Sequence, residues 1–136
     1  MGAISIDLKN SIDQLEKLEL SLEQLGEEWE LPLKTIMNLN VVLEEVFSNI
    51  VFYGYEDENE HLIKINIEKT GDDLYVQITD DAKAFDPLNA SEPDLDLKVE
   101  DRQIGGLGIH FVKTLMDEVS YERKDGKNVL SLVKKL

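Results

Sequence analysis

With 136 residues, 42% of them hydrophobic, the chain is long enough to bury one two-layer core, and residues 1–136 read as a single domain. Its 29 acidic residues against 14 basic ones leave a formal net charge of -15, which repels nucleic acid and anionic lipid over most of the surface, so neither is expected as a direct partner. The absence of cysteine excludes disulfides, thiolate zinc sites and cysteine nucleophiles; no apolar run reads as a membrane span or a leader, and a cytoplasmic location is expected.

Residues Ile4 to Leu8 read as a short strand, and Ser11 with Gln14 three residues on suggests a capping box opening a helix. Ile12, Leu15, Leu18, Leu20, Leu22 and Leu25 supply the apolar side of that helix, and Gly26 can close it. Pro32 stands at a favoured first helical position before the apolar stretch Leu33 to Phe52, which predicts a second, mostly buried helix. Leu62 to Ile67 and Leu74 to Ile78 alternate with period two and predict a hairpin turning at Thr70, Gly71 and Asp72. From Asp81 to Gln103 there are two prolines, seven acidic residues and no sustained period, so a long loop is expected. Helical spacing returns from Gly106 to Met116, and Val119 to Arg123 with Asn128 to Val133 predict a last hairpin around Asp125 and Gly126. Helices segregated from a mostly antiparallel sheet give an α+β fold, a two-layer sandwich with the helices on one face.

Glu45 and Asn49 lie four residues apart, so both project from one face of an otherwise apolar helix. Spacing alone is satisfied if that face meets solvent or caps a loop; as a functional pair, Asn49 is an oxygen ligand for Mg²⁺ and Glu45 a carboxylate near a γ-phosphate. Asp80 ends a strand where the long loop begins, and a carboxylate there can accept a hydrogen bond from an exocyclic purine amine, or simply start a turn. Gly105, Gly106 and Gly108, around Leu107, open a helix and let backbone N–H groups approach an anion, although no Lys-Ser or Lys-Thr pair follows to make a P-loop. Lys98 and Arg102 are cations in an acidic loop that can meet phosphate oxygens. His61 and His110 show no pairing signal and read as structural or exposed.

In order, EEVFSNIVFYGY (Glu44 to Tyr55), ITDDAKAFDPL (Ile78 to Leu88) and IGGLGIHFVKTLMDEVSYER (Ile104 to Arg123) resemble the Bergerat-fold, histidine-kinase-like ATPases, and most of all their anti-sigma serine kinase branch. The resemblance implies ATP and Mg²⁺ as ligands, Glu45 as catalytic base, Asn49 as the metal ligand, and Asp80 as the reader of the adenine amino group. It implies that Ala82, Ala84 and Phe85 form the first glycine-box turn against the nucleotide. A nucleotide lid then runs from about Pro87 to Ile104 and ends at the second glycine box, Gly105, Gly106 and Gly108. The branch phosphorylates an antagonist protein and sequesters a sigma factor, and it implies a homodimer through the first strand or helix. The chain departs from the family pattern in having Ala82 where the first glycine box usually has Gly, Ala84 at the position that often holds a second small residue of the box, and Tyr53 where a histidine is common; alanine in a turn requiring positive φ is expected to strain it. A module that keeps the pocket without catalysis is the alternative. A histidine-kinase catalytic domain fits less well, because Ser11 to Leu25 contains no phosphoacceptor histidine.

Overall fold

The computed structural model describes residues 2–85 and 112–136. Strand β1 (Gly2–Lys9) leads through a 3-10 turn (Ile12–Gln14) into helix α1 (Leu15–Glu28) and then α2 (Leu33–Tyr53). Strands β2 (Leu62–Thr70) and β3 (Asp73–Asp80) follow, then helical residues 112–115 and the hairpin of β4 (Glu118–Lys124) and β5 (Lys127–Lys135). The strands form one sheet in the order β1-β2-β3-β5-β4, and every adjacent pair is antiparallel.

Alternation decides which face of that sheet is covered. Ile6, Ile65, Ile78, Leu130 and Tyr121 are successive cross-strand partners and make one row facing the helices, with Ile67, Val76, Leu132 and Val119 as the next. Asp7, Lys64, Glu68 and Gln77, at alternate positions, are exposed on the other face. Helix α1 buries Leu18, Leu22 and Leu25, one stripe of its surface, whereas Leu20 points outward and is 59% exposed. Each buried leucine is worth about 1.5–3 kcal/mol in removed apolar surface, and Leu22→Ala costs roughly 2–5 kcal/mol.

The helix ends differ from the expected ones. Ser11 makes no side-chain cap, and the first turn is 3-10. Gly26 does not close α1 but lies inside it, where an added Cβ would come within 2.8 Å of Ile36 Cγ1 on α2. The true terminus is three residues later: the Leu31 N–H donates to the Gly26 carbonyl at 2.9 Å, and Glu30 takes the left-handed conformation, φ 53°, that glycine usually fills. Pro32 is the N-cap of α2 rather than its first residue.

Helix α2 is amphipathic rather than mostly buried. Ile36, Leu39, Val42, Leu43, Val46 and Phe47 enter the core, while Leu33, Met37, Val41 and Phe52 remain exposed. By length and composition α2 is long and apolar enough to cross a membrane, contrary to the expectation that no run reaches that size; 39% of its most apolar window is buried inside the molecule.

Candidate functional site

The last two turns of α2 and the C-terminal end of β3 enclose a cavity of about 280 Å³, lined among others by Asn49, Tyr53, Gly54, Asp80, Ala82, Lys83, Phe85 and Asn128. Its floor is apolar, from Val46, Ile50, Ile78 and Leu130. A concave apolar site with a few convergent polar groups is the usual form of a small-molecule pocket.

Asn49 and Glu45 are coupled through the helix. Asn49 Nδ2 donates to the Glu45 backbone carbonyl at 2.9 Å and to Glu45 Oε1 at 3.2 Å. Both of these partners are acceptors, so the amide is oriented with nitrogen toward Glu45, and Oδ1 accepts no hydrogen bond among the described residues. That oxygen fits a hard cation whose other ligands are phosphate oxygens and water. Glu45 is half-buried one turn before Asn49 and does not itself line the cavity.

Asp80 is 4% exposed, at the inward position of β3 opposite Asn128 of β5. Its Oδ1 accepts the Ala82 N–H at 3.0 Å and Asn128 Nδ2 at 2.9 Å, and Oδ2 has no partner among the described residues. Burial raises its pKa above the ordinary carboxylate value, while these two hydrogen bonds and the charge of Arg123 oppose the rise. An acceptor oxygen that no described residue engages, on a carboxylate lining an apolar cavity, suits recognition of an amine on a planar base.

The turn after Asp80 is built without strain. Among the described residues only Glu30 and Asp125 are non-glycine positions with positive φ, so Ala82 does not take the conformation that was expected to strain it. The Asp80 side chain bonded to the Ala82 N–H makes the turn instead. Glycine is required across from it: a Cβ on Gly54 would lie 2.8 Å from Ala82 Cβ and 2.6 Å from the Ile50 carbonyl oxygen. The Lys83 N–H donates to the Gly54 carbonyl at 3.0 Å and closes the contact. Phe85 is 45% exposed at the cavity wall, and Ala84 is exposed and does not line it. Lys98, Arg102, Gly105, Gly106, Leu107 and Gly108, with the stretch 87–104, lie outside the described residues.

Several site residues carried no sequence signal. Asn128 and Arg123 hold the 82–85 segment, Arg123 Nη1 donating to the Ala82 carbonyl at 2.8 Å. Only the alternation of Asn128 with Leu130 and Leu132, which puts an amide among inward side chains, hinted at it. His61, which carries no pairing signal in the sequence, contacts Asp57 Oδ1 at 2.9 Å and Asp81 Oδ2 at 3.1 Å. It stacks on Tyr55 with ring centroids 4.1 Å apart, and the Tyr55 hydroxyl donates to Asp81 Oδ1 at 2.9 Å. The hydrogen bonds to Asp57 and Asp81 raise the His61 pKa. This cluster ties the connection after α2 to the residue next to Asp80.

The sequence profile of the histidine kinase-like ATPase domain matches residues 8–134. The chain belongs to that family. Within it, a serine/threonine-protein kinase of Bordetella bronchiseptica, BtrW, is 30% identical over 108 residues, covering 79% of this chain and 75% of that one. An anti-sigma F factor of Clostridium botulinum is 27% identical over 107 residues, 74% of this chain and 70% of its own length. The serine-protein kinase RsbW of Bacillus velezensis is 30% identical over 99 residues, 69% of this chain and 61% of the relative. Among solved structures, the RsbU and RsbW domains of a Mycobacterium tuberculosis protein superpose with a TM-score of 0.73 at 15% identity, over 100% of this chain and 33% of that longer one. The five-stranded antiparallel sheet with its helices is therefore the ATPase fold of this family.

Proposed function

We propose that this protein is a Mg-ATP-dependent serine/threonine protein kinase of the anti-sigma type, which phosphorylates an antagonist protein and by turns sequesters a sigma factor. Its kinship with serine-protein kinases and an anti-sigma F factor supports the class. The single observation that carries the reading at the site is Asp80, whose Oδ2 has no partner among the described residues at a cavity that Asn49 also lines.

On this reading Asp80 Oδ2 accepts the adenine amino group, the apolar floor and Phe85 exclude water from the base, and Asn49 Oδ1 holds Mg²⁺. The ion would neutralise phosphate charge that an otherwise acidic chain repels. Glu45 takes the proton of the incoming seryl or threonyl hydroxyl; its oxygen attacks the γ-phosphorus, the bond to the β-phosphate oxygen breaks, and ADP leaves. Lys98, Arg102 and the Gly105, Gly106 and Gly108 backbone are assigned to the phosphates, with 87–104 as the lid of a single ATPase domain over 1–136. The protein works in the cytoplasm as a regulator of transcription through protein contacts, as a homodimer, without binding nucleic acid or membrane itself.

The test is incubation of the purified chain with γ-labelled ATP and the small antagonist-type proteins of the same genome. Transfer of label to a serine or threonine of one of them, abolished by Glu45→Gln, is expected. ATP binding without transfer to any of them would leave a non-catalytic nucleotide-sensing module.

A further inference from the structure

Asn128 spends its whole hydrogen-bonding capacity at the edge of the cavity. It is 6% exposed and stands directly across from Asp80 in the β3–β5 register. Nδ2 donates to Asp80 Oδ1 and to the Lys83 carbonyl, each at 2.9 Å. Oδ1 accepts the Phe85 N–H at 3.3 Å and the Tyr121 hydroxyl. Two donors on one side and two acceptors on the other fix the amide in one orientation, since a flipped amide would turn its oxygen toward the Asp80 carboxylate. With the Ala82 N–H at 3.0 Å, Asn128 saturates Oδ1 of Asp80 and leaves Oδ2 as the oxygen that no described residue engages.

We infer that Asn128, its amide oriented by Tyr121, is the positioning residue that aims Asp80 Oδ2 at the base and thereby sets discrimination for a purine carrying an exocyclic amine. This rests on the ATP reading of the cavity. Asn128 is not a catalytic residue: it acts through Asp80 and through the 82–85 segment, which it spans from the Lys83 carbonyl to the Phe85 N–H.

A general loss of packing would weaken every nucleotide alike, whereas a positioning role is specific to the amine. The test is therefore calorimetric binding of ATP and of purine riboside triphosphate, the same nucleotide without the amino group, to wild type, Asn128→Ala and Tyr121→Phe. Wild type is expected to prefer ATP by about tenfold or more, one charge-assisted hydrogen bond. Asn128→Ala should weaken ATP about tenfold and leave the analogue unchanged, and Tyr121→Phe should narrow the preference severalfold. A preference that survives in both variants, or an equal loss for both nucleotides, overturns the role of Asn128 alone. No preference in the wild type overturns the assignment of Asp80 and the role of Asn128 together. If Asn128→Ala does not fold, Tyr121→Phe decides by the same comparison.

Discussion

Asn49 bonds back to Glu45 twice, through the backbone carbonyl and the carboxylate, so the two side chains assigned to metal and proton chemistry orient each other within one turn of α2. Their losses should nevertheless separate. Glu45→Gln keeps an acceptor for the Asn49 amide but gives up the base, so ATP binding stays while phosphotransfer falls by roughly 10²- to 10⁴-fold. Asn49→Ala should remove the Mg-dependent part of ATP binding and leave the Mg-independent part; binding titrations with and without Mg²⁺, beside single-turnover labelling, read both effects.

Gly54 and Ala82 are matched in size. Gly54→Ala places a methyl 2.8 Å from Ala82 Cβ and 2.6 Å from the Ile50 carbonyl oxygen, a clash expected to cost about 1–3 kcal/mol in a urea melt. Adding Ala82→Gly relieves the first contact and not the second, so it should restore only part of the loss. Full restoration would mean that the Ile50 contact is slack; no restoration would mean that the two positions do not share the space.

Much of this architecture was legible because the hydrophobic period is clean. Ile63, Ile65 and Ile67 against Leu74, Val76 and Ile78 admit one register with the apolar set inward, and Asp125-Gly126 supplies the positive φ that the last turn needs. The helix ends were not legible. Gly26 looks like a stop, yet it serves the approach of Ile36, and the real stop uses Glu30, a residue with no turn signature. At the site, Glu45, Asn49 and Asp80 could be named from motif order. Asn128, Arg123 and His61 could not, because the partners that tie them to the site, Asp80, Ala82 and Asp81, lie 20 to 48 residues away and only the fold brings them together.

The His61 cluster gives stability a definite pH window. Hydrogen bonds to Asp57 and Asp81 raise the imidazole, so its contribution is full below the free value of about 6.5 and is lost as pH rises through the raised pKa. Asp57 is lowered by its bonds from His61 and the Asn59 N–H. For Asp81, burial pushes upward, but bonds from His61 and Tyr55 leave it lowered. Their contribution is full above about 3.9 and is lost as pH falls through the lowered values. The stability difference between wild type and His61→Gln should therefore be largest between about pH 4 and 6.5 and shrink on either side, as followed by urea denaturation.

Glu44 titrates the other way. Burial, with the hydrogen bond and charge of Glu19 on α1, raises its carboxyl to about 7. A raised acid holds its proton in the folded state, so it costs stability progressively as pH climbs from the free value of about 4.3 through 7. Glu44→Gln is expected to raise Tm at pH 8 and to leave it unchanged at pH 4; an equal shift at both would place its effect outside this titration.

The most direct measurement is calorimetric titration of ATP into the full chain, with and without Mg²⁺, for wild type and Asp80→Asn. ATP should bind the wild type, more tightly with Mg²⁺, and Asp80→Asn should weaken it by about ten- to a hundredfold, as expected for losing a charged acceptor. Neither heat nor thermal shift at millimolar ATP in the wild type, or equal affinity in Asp80→Asn, would contradict the assignment of this cavity as the nucleotide site.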